Sequence, residues 1–369
     1  SHLEANSRMG LDLDGESTRT KSGGFPAVVT KIKELRSENP NSLTLHAGDA
    51  TNGTLYFTLF EGEADAALMN VVCFDAFVVG NHEFNNGDQG LVTFLDYLNE
   101  GNCQTPVLGA NVQPEVGISP LAKSSRDDYI QPYTIVERNG EKIGIIGIVI
   151  SKKTKMSSNP DDNTMFLDEV STAQKYTDEL NSQGVDRVIL LSHFGYENDL
   201  ALAQKTSGID IIVGGDSHSL LGDLSDLGLK PNGSYPTMVS DASGNDVCVV
   251  TAWEYSQIVG ELHAEFDGQG NITSCMGTPH MMLADSFKRK NADGERVEIE
   301  EGYRDAVYSV IKVNPSLSIV EPDADAQALL ASYSSKIDEF SSEIIGSVSE
   351  DLCLERIPGQ GKSKMCDPS

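Results

Sequence analysis

Short apolar runs alternate along the chain with longer segments in which apolar positions recur at helical spacing. Residues 24–39 have that spacing, and Pro40 directly follows them, so a helix is predicted there. From there the pattern predicts strand 42–47, helix 62–70, strand 76–80, helix 88–99, strand 106–111, hairpin 131–149, helix 169–183, strand 187–192, helix 197–206 and strand 209–214. Strands that alternate with helices in this way predict an α/β sandwich.

The pattern changes in the last third of the chain. Residues 236–283 are β-rich and contain a turn at 267–271, whereas residues 323–345 form one amphipathic repeat typical of a helix. Beyond it the chain is polar, rich in turn residues and too short to fold alone. We expect one large domain over 1–318, a linker helix over 319–347, and the start of a further domain at 348–369.

Polar side chains follow four of the predicted strands, at the point where each strand ends. In an open α/β sheet, ligands bind at the carboxyl ends of the strands. Carboxylate, amide and imidazole groups gathered at that edge could hold a metal ion, so the pattern predicts a metal site. The candidates are Asp49, Asn81, His82, His193, Asp216 and His218.

Composition and charge narrow the possible partners. The 369 residues include 56 acidic and 27 basic ones, for a formal net charge of −29. Nucleic acid is therefore not an expected partner, because binding a polyanion requires a basic surface. The chain also contains no apolar run near the roughly 18 residues of a membrane span, so no transmembrane segment is predicted.

The six cysteines indicate disulfide bonds and an oxidising compartment, although sequence alone does not fix their connectivity. Cys73 and Cys103 each precede a predicted strand. If these strands are adjacent and parallel, the two sulfur atoms meet at one edge of the sheet. Cys248 and Cys275 lie in two strand-like runs, and Cys353 and Cys366 bracket a turn-rich segment.

Three triplets fit the pattern for N-glycosylation, and they begin at Asn52, Asn232 and Asn271. Such triplets often occur by chance. The first of them lies next to Asp49, and we expect it to be too enclosed for modification.

Five motifs in order resemble the 5′-nucleotidase branch of the calcineurin-like metallophosphoesterases, and the resemblance extends from about residue 23 to 345. The motifs are AGD at 47–49 with GT at 53–54, GNHEF at 80–84, LSH at 191–193, GGDSH at 214–218, and YPT at 235–237 followed by VGEL at 259–262. The resemblance implies a four-layer α/β/β/α sandwich and a secreted, extracellular or periplasmic enzyme. It also implies a carboxyl-terminal domain, outside this chain, that supplies the nucleoside pocket.

The resemblance further implies two divalent cations about 3.5–4 Å apart, which hold the phosphate and activate a water molecule. They could be zinc, manganese, magnesium or iron. By this resemblance Asp49 bridges the two metals, and Asn81, His193 and Asp216 bind the second one. His218 completes the first site. Asn81 and His82 contact the substrate phosphate, with His82 stabilising charge or donating a proton and Asn85 orienting its ring.

The chain departs from the family pattern in three places. The opening strand with its Asp-x-His motif is absent, and residues 1–4 (SHLE) match the positions just after it, so we expect the natural protein to extend upstream. Asp216 stands where the family usually has a histidine, which favours harder ions such as manganese or magnesium. Asn85 stands where many relatives have an aspartate, and an amide stabilises an imidazolium less well.

Other interpretations of these residues remain open. Asp49 and Asp216 could be turn residues, His82 a cap, His193 a core residue, and His218 a non-ligand. The leading functional prediction is a secreted phosphohydrolase acting on nucleoside 5′-monophosphates. Within the family, 2′,3′-cyclic nucleotides, UDP-sugars and nucleoside di- or triphosphates are alternatives. A non-catalytic extracellular protein that retains the fold is the alternative from another class.

Overall fold

The computed structural model describes residues 1–343 together with Gly346. Its helices are α1 Phe25–Glu38, α2 Leu55–Phe60, α3 Glu63–Val72, α4 Gly87–Glu100, α5 Ser151–Ser157, α6 Glu169–Ser182, α7 Tyr196–Ala203, α8 Glu301–Val313 and α9 Ala324–Ser341. The first strands are β1 Asn6–Leu13, β2 Glu16–Ser22, β3 Leu45–His46, β4 Ala76–Val78, β5 Val107–Leu108, β6 Val112–Pro114, β7 Tyr133–Arg138, β8 Glu141–Val149 and β9 Thr164–Phe166. The later ones are β10 Arg187–His193, β11 Ile211–Gly214, β12 Thr237–Ser240, β13 Asp246–Thr251, β14 Ile258–Phe266, β15 Ile272–Leu283, β16 Lys288–Lys290, β17 Arg296–Glu298 and β18 Leu317–Ile319.

A six-stranded sheet in the order β12-β13-β11-β10-β8-β7 carries part of the predicted site. Its four central strands run parallel, and β12 and β7 close the edges antiparallel. Strand β8 is the apolar arm of the predicted hairpin and is buried from Gly144 to Val149. The register pairs Ser192 with Gly214, which brings the ends of β10 and β11 side by side.

The second sheet layer contains the parallel set β3-β4-β5 and the long antiparallel pair β14–β15. Apolar side chains from both layers meet in one core cluster, and burying them stabilises the face-to-face packing. Members of this cluster include Ala76, Val78, Leu108, Ile145, Ile189, Leu191, Ile211, Leu262 and Ala264.

Helices cover the outer face of each layer. A large apolar cluster joins α1, α3 and α4 to β4, and a second one joins α6 and α7 to the six-stranded sheet. The molecule is therefore the α/β sandwich that the sequence pattern predicts, with the four α/β/β/α layers that the family resemblance implies. Because both sheets lie between helices, their parallel strands read as nearly continuous apolar runs.

Several elements differ from the prediction. The strands expected over 42–47 and 106–111 are short, at Leu45–His46 and Val107–Leu108. The hairpin β1–β2, helix α8 and the pair β16–β17 were not predicted. Signals for the first two are present in the sequence: Met9, Leu11 and Leu13 alternate with polar residues before an Asp-Gly turn, and Val307 and Ile311 lie one helical turn apart. The boundary expected after residue 318 falls inside β18, which pairs with β15, and the domain division stays a prediction.

The helix predicted over 323–345 is observed as α9, Ala324–Ser341. It contacts α1, α2 and α3. The Tyr333 ring lies 4.9 Å from that of Phe60, and the Tyr333 hydroxyl donates to Glu63. The expected further domain over 348–369 lies outside the described residues.

Two disulfide bonds connect parts of the sandwich. Cys73 pairs with Cys103 beside the adjacent parallel strands β4 and β5, which confirms that predicted pairing. Cys248 pairs with Cys275 and ties β13 to β15 across the two sheet layers. Cys353 and Cys366 lie outside the described residues. Over the described range, no helix is both long and apolar enough to cross a membrane.

Candidate metal centre

The loops after β3, β4, β10 and β11 approach one another at one rim of the sandwich. Four non-glycine residues in these loops have left-handed backbone: Asp49 (φ 55°), Asn52 (φ 77°), Asp216 (φ 67°) and His218 (φ 51°). Residues other than glycine rarely adopt this conformation, and such residues tend to gather at functional sites. The close approach also requires a glycine, because a Cβ on Gly80 would lie 2.2 Å from Asp49 Oδ1.

Asp49 lies at the centre of this arrangement. Its Oδ1 accepts a hydrogen bond from the backbone N–H of His82 at 2.9 Å, and its Oδ2 lies 3.1 Å from His193 Nε2. Burial acts to raise the pKa of Asp49, but the charge of His193 and hydrogen bonds from His193 and His82 outweigh burial and hold the pKa well below its usual range. Asp49 is therefore a carboxylate at neutral pH, with one oxygen on each side of the site.

His193 is 1% exposed and joins the two sheet layers. Its Nδ1 donates to the carbonyl oxygen of Ala47 at 2.6 Å, and its Nε2 faces Asp49 and, at 3.6 Å, Asp216 Oδ1. Burial lowers the pKa of His193, but the charge of Asp49 and hydrogen bonds with Asp49 and Ala47 outweigh this and raise the pKa to about 9. The Nδ1 hydrogen bond fixes the ring so that Nε2 is the nitrogen available to a ligand.

The donor set fits a divalent cation. Asp49, His193 and Asp216 each offer a ligand atom, and these atoms lie within 4.8 Å of one another. Asn81 is fully buried, and neither its Oδ1 nor its Nδ2 has a hydrogen-bond partner within the described residues. Buried amides are nearly always hydrogen-bonded, so the unpartnered amide of Asn81, in the loop that follows β4, is a candidate metal ligand.

Glu83 organises the loops beneath Asp49, a role that the sequence pattern does not reveal. Its carboxylate accepts the backbone N–H groups of Gly80 (2.6 Å), Asp49 (2.9 Å) and Thr51 (3.1 Å), and the hydroxyl of Thr51 at 3.2 Å. Burial and then the charge of Asp49 raise the pKa of Glu83, and the backbone hydrogen bonds act against that shift. The sequence signal for Glu83 was its place in the GNHEF motif at 80–84, which does not indicate this role.

The His82 ring lies among amide side chains. Its Nδ1 is 3.0 Å from Asn52 Nδ2, 3.0 Å from Asn85 Nδ2 and 3.3 Å from Asn85 Oδ1. Asn159 in turn donates from Nδ2 to the carbonyl oxygen of Asn85 at 2.7 Å. The structure thus brings His82 and Asn85 together, and the orienting role assigned to Asn85 stays a prediction.

Charged side chains from other elements contact the two candidates on the loop after β11. Asp216 Oδ1 forms an ion pair with Nζ of Lys153, a residue of α5 that the sequence pattern did not single out. His218 Nδ1 lies 3.1 Å from Glu254 Oε2, and its ring is 5.0 Å from that of Tyr255. The structure does not bring His218 into the group formed by Asp49, His193 and Asp216, and its assignment to the first metal stays a prediction.

This fold and this donor set define a class of protein. The family model "Calcineurin-like phosphoesterase" matches residues 2–220, and the chain belongs to that family. Among curated relatives, a probable 5′-nucleotidase of Treponema pallidum is 42% identical over 94% of this chain and 57% of its own length. These findings confirm the resemblance stated from the motifs.

Solved structures agree with this assignment. The NAD nucleotidase of Haemophilus influenzae superposes with a TM-score of 0.87 at 39% identity, covering 94% of this chain and 67% of that one. A 5′-nucleotidase precursor from Thermus thermophilus superposes with a TM-score of 0.74 at 33% identity, covering 93% and 58%. The chain spans little more than half the length of the first curated relatives it matches, at 57% and 58%.

Proposed function

We propose that the chain is the catalytic domain of a two-metal phosphohydrolase that releases phosphate from nucleotides, most readily from nucleoside 5′-monophosphates. One observation carries the proposal. Ligand atoms of Asp49, His193 and Asp216 lie within 4.8 Å of one another, and the buried amide of Asn81 has no hydrogen-bond partner among the described residues. The 5′-nucleotidase relatives support this choice of substrate class.

Each residue has a definite task in this proposal. Asp49 would hold both cations, Asn81, His193 and Asp216 would hold the second, and His218 is proposed for the first. When bound, the cations supply positive charge to the phosphoryl oxygens and lower the pKa of a water molecule. His82 would donate from Nε2 to a phosphoryl or leaving oxygen and so stabilise the negative charge that develops there.

The location and the remaining parts of the protein belong to the same proposal. Two disulfide bonds support an extracellular or periplasmic location, because disulfides persist in oxidising compartments. A carboxyl-terminal domain that recognises the nucleoside is consistent with the greater length of the curated relatives. We also include NAD as a second candidate substrate, because one relative, 39% identical, is named NAD 5′-nucleotidase.

The test is phosphate release by the full-length protein with Mn²⁺, using AMP, NAD, UDP-glucose, 2′,3′-cyclic AMP and ATP in parallel. We expect AMP to be turned over and Asp49→Ala to reduce turnover to background. Asp14→Ala is the matched control, because Asp14 also has left-handed backbone (φ 53°) but lies in the β1–β2 turn. Unchanged turnover in Asp49→Ala would refute the assignment. A metal-binding wild type that hydrolyses none of these substrates would support the non-catalytic alternative.

A further inference from the structure

We propose that Asn52 is a positioning residue for His82: its side-chain amide donates a hydrogen bond to Nδ1 and thereby keeps the ring proton on Nε2. This inference rests on the proposed function, because it concerns the group that would face the phosphate. It assigns a role to a residue that the sequence pattern marks only as a glycosylation triplet.

The geometry around Nδ1 carries the inference. Two amide nitrogens, Asn52 Nδ2 and Asn85 Nδ2, lie 3.0 Å from His82 Nδ1, whereas the nearest amide oxygen, Asn85 Oδ1, lies at 3.3 Å. An amide nitrogen carries protons and has no lone pair to offer. Nδ1 is therefore the acceptor in these contacts, and in the neutral ring the proton is on Nε2.

Nε2 is then free to act on a substrate. It makes no hydrogen bond to any residue in the described part of the chain, whereas Nδ1 is held by two side chains. A neutral imidazole protonated at Nε2 can donate to a phosphoryl or leaving oxygen. Where an aspartate takes the place of Asn85, a carboxylate would instead accept from Nδ1 and favour the opposite neutral tautomer.

The backbone explains why asparagine suits this position. At φ 77° residue 52 is in the left-handed region, where asparagine and glycine are the side chains most readily accommodated. The loop is fixed on one side by Thr51, which donates to Glu83 and to the carbonyl oxygen of His82. The Asn52 amide thus reaches His82 from a loop that is tied to the same segment, and a glycan on Asn52 would displace that contact.

Histidine ¹⁵N NMR on the metal-free, full-length protein tests the inference without any assay of activity. In the wild type at alkaline pH we expect His82 Nδ1 to have the shift of an unprotonated nitrogen and Nε2 that of a protonated one. Asn52→Asp replaces the donor by an acceptor and should move the proton to Nδ1. Asn52→Gly removes the side-chain amide, whereas glycine still adopts the left-handed backbone conformation. This variant should leave His82 as a mixture of tautomers. Asn139→Gly, in the β7–β8 turn with φ 53°, is the matched control.

Kinetics with AMP and Mn²⁺ provide the second measurement. Because general acid–base groups contribute about 10²–10⁴-fold to rate, mispositioning His82 in Asn52→Gly should lower kcat by at least about tenfold and leave KM and the metal content unchanged. A protonated Nδ1 in the wild type would overturn the inference, as would unchanged His82 signals in Asn52→Gly or carbohydrate on Asn52. If AMP is not hydrolysed at all, the proposed function fails, while the NMR result still decides the role of Asn52.

Discussion

The two halves of the candidate metal centre are built in different ways. The Asp49 half, residues 48–54 and 80–85, is held by backbone N–H groups that converge on two carboxylates, Asp49 and Glu83. The Asp216 half, residues 214–218, is contacted instead by long side chains: Lys153 forms an ion pair with Asp216, and Glu254 Oε2 lies 3.1 Å from His218 Nδ1. Backbone contacts fix a geometry more rigidly than flexible side chains do. We infer that the first half is preorganised and that the second adjusts when metal binds.

The largest effect expected from this difference is at Glu83. Glu83→Gln keeps the size and shape of the side chain but replaces one acceptor oxygen by an NH₂ group. That group cannot accept hydrogen bonds from the backbone N–H groups of the Asp49 half. Leaving buried donors unsatisfied costs about 1–3 kcal/mol each, so the free energy of unfolding should fall by about 2–4 kcal/mol in urea titrations. AMP hydrolysis should fall with it, because Asp49 loses its fixed place.

Glu100→Gln, at the exposed end of α4, is the control for Glu83→Gln and should change neither quantity. A Glu83→Gln variant with wild-type stability and turnover would show that the Asp49 half is not organised by this carboxylate. The comparison between the two halves would then be wrong.

The same comparison shows what could be predicted from the sequence. The order of strands and helices around the motifs was predicted, because parallel strands buried between helix layers have continuous apolar runs. The gathering of Asp49, His193 and Asp216 followed from their places at strand ends. The sequence did not reveal three parts of the site: Glu83, Lys153 and Asn52. Their roles come from contacts with residues far away in the sequence, and no local pattern of residues marks such contacts.

A second prediction concerns pH and His193, which connects the two halves. Its pKa is raised from 6.5 to about 9, mainly by Asp49 acting against burial, so below that pH a bound cation must displace a proton from the ring. Apparent affinity for Mn²⁺ should therefore rise about tenfold per pH unit between roughly pH 6.5 and 8.5. Calorimetry in buffers of different ionisation enthalpy should detect about one proton released per site.

In the metal-free protein, the free energy of unfolding depends on pH in the opposite direction: it falls as the pH rises. Folding raises the pKa of His193. The stabilisation that His193 contributes to the folded state is therefore fully present below about pH 6.5 and is lost as the pH rises through about 9. In thermal unfolding of the metal-free protein, the Tm of the wild type should therefore fall from pH 6.5 to pH 9. This fall should be larger than the fall measured for His193→Gln over the same range. Metal affinity that does not depend on pH would show that His193 is not a ligand.

The smallest effect is expected at Lys153, whose ammonium group competes with a cation for Asp216 Oδ1. The Lys153 side chain is 40% exposed, and an ion pair exposed to this degree contributes at most about 1 kcal/mol. Removing it in Lys153→Met should therefore raise affinity for Mn²⁺ by no more than about fivefold. Lys152→Met, the neighbouring exposed lysine, is the matched control and should leave affinity unchanged. Weaker binding in Lys153→Met would mean that Lys153 holds Asp216 in its ligating position, and the Asp216 half would then be preorganised as well.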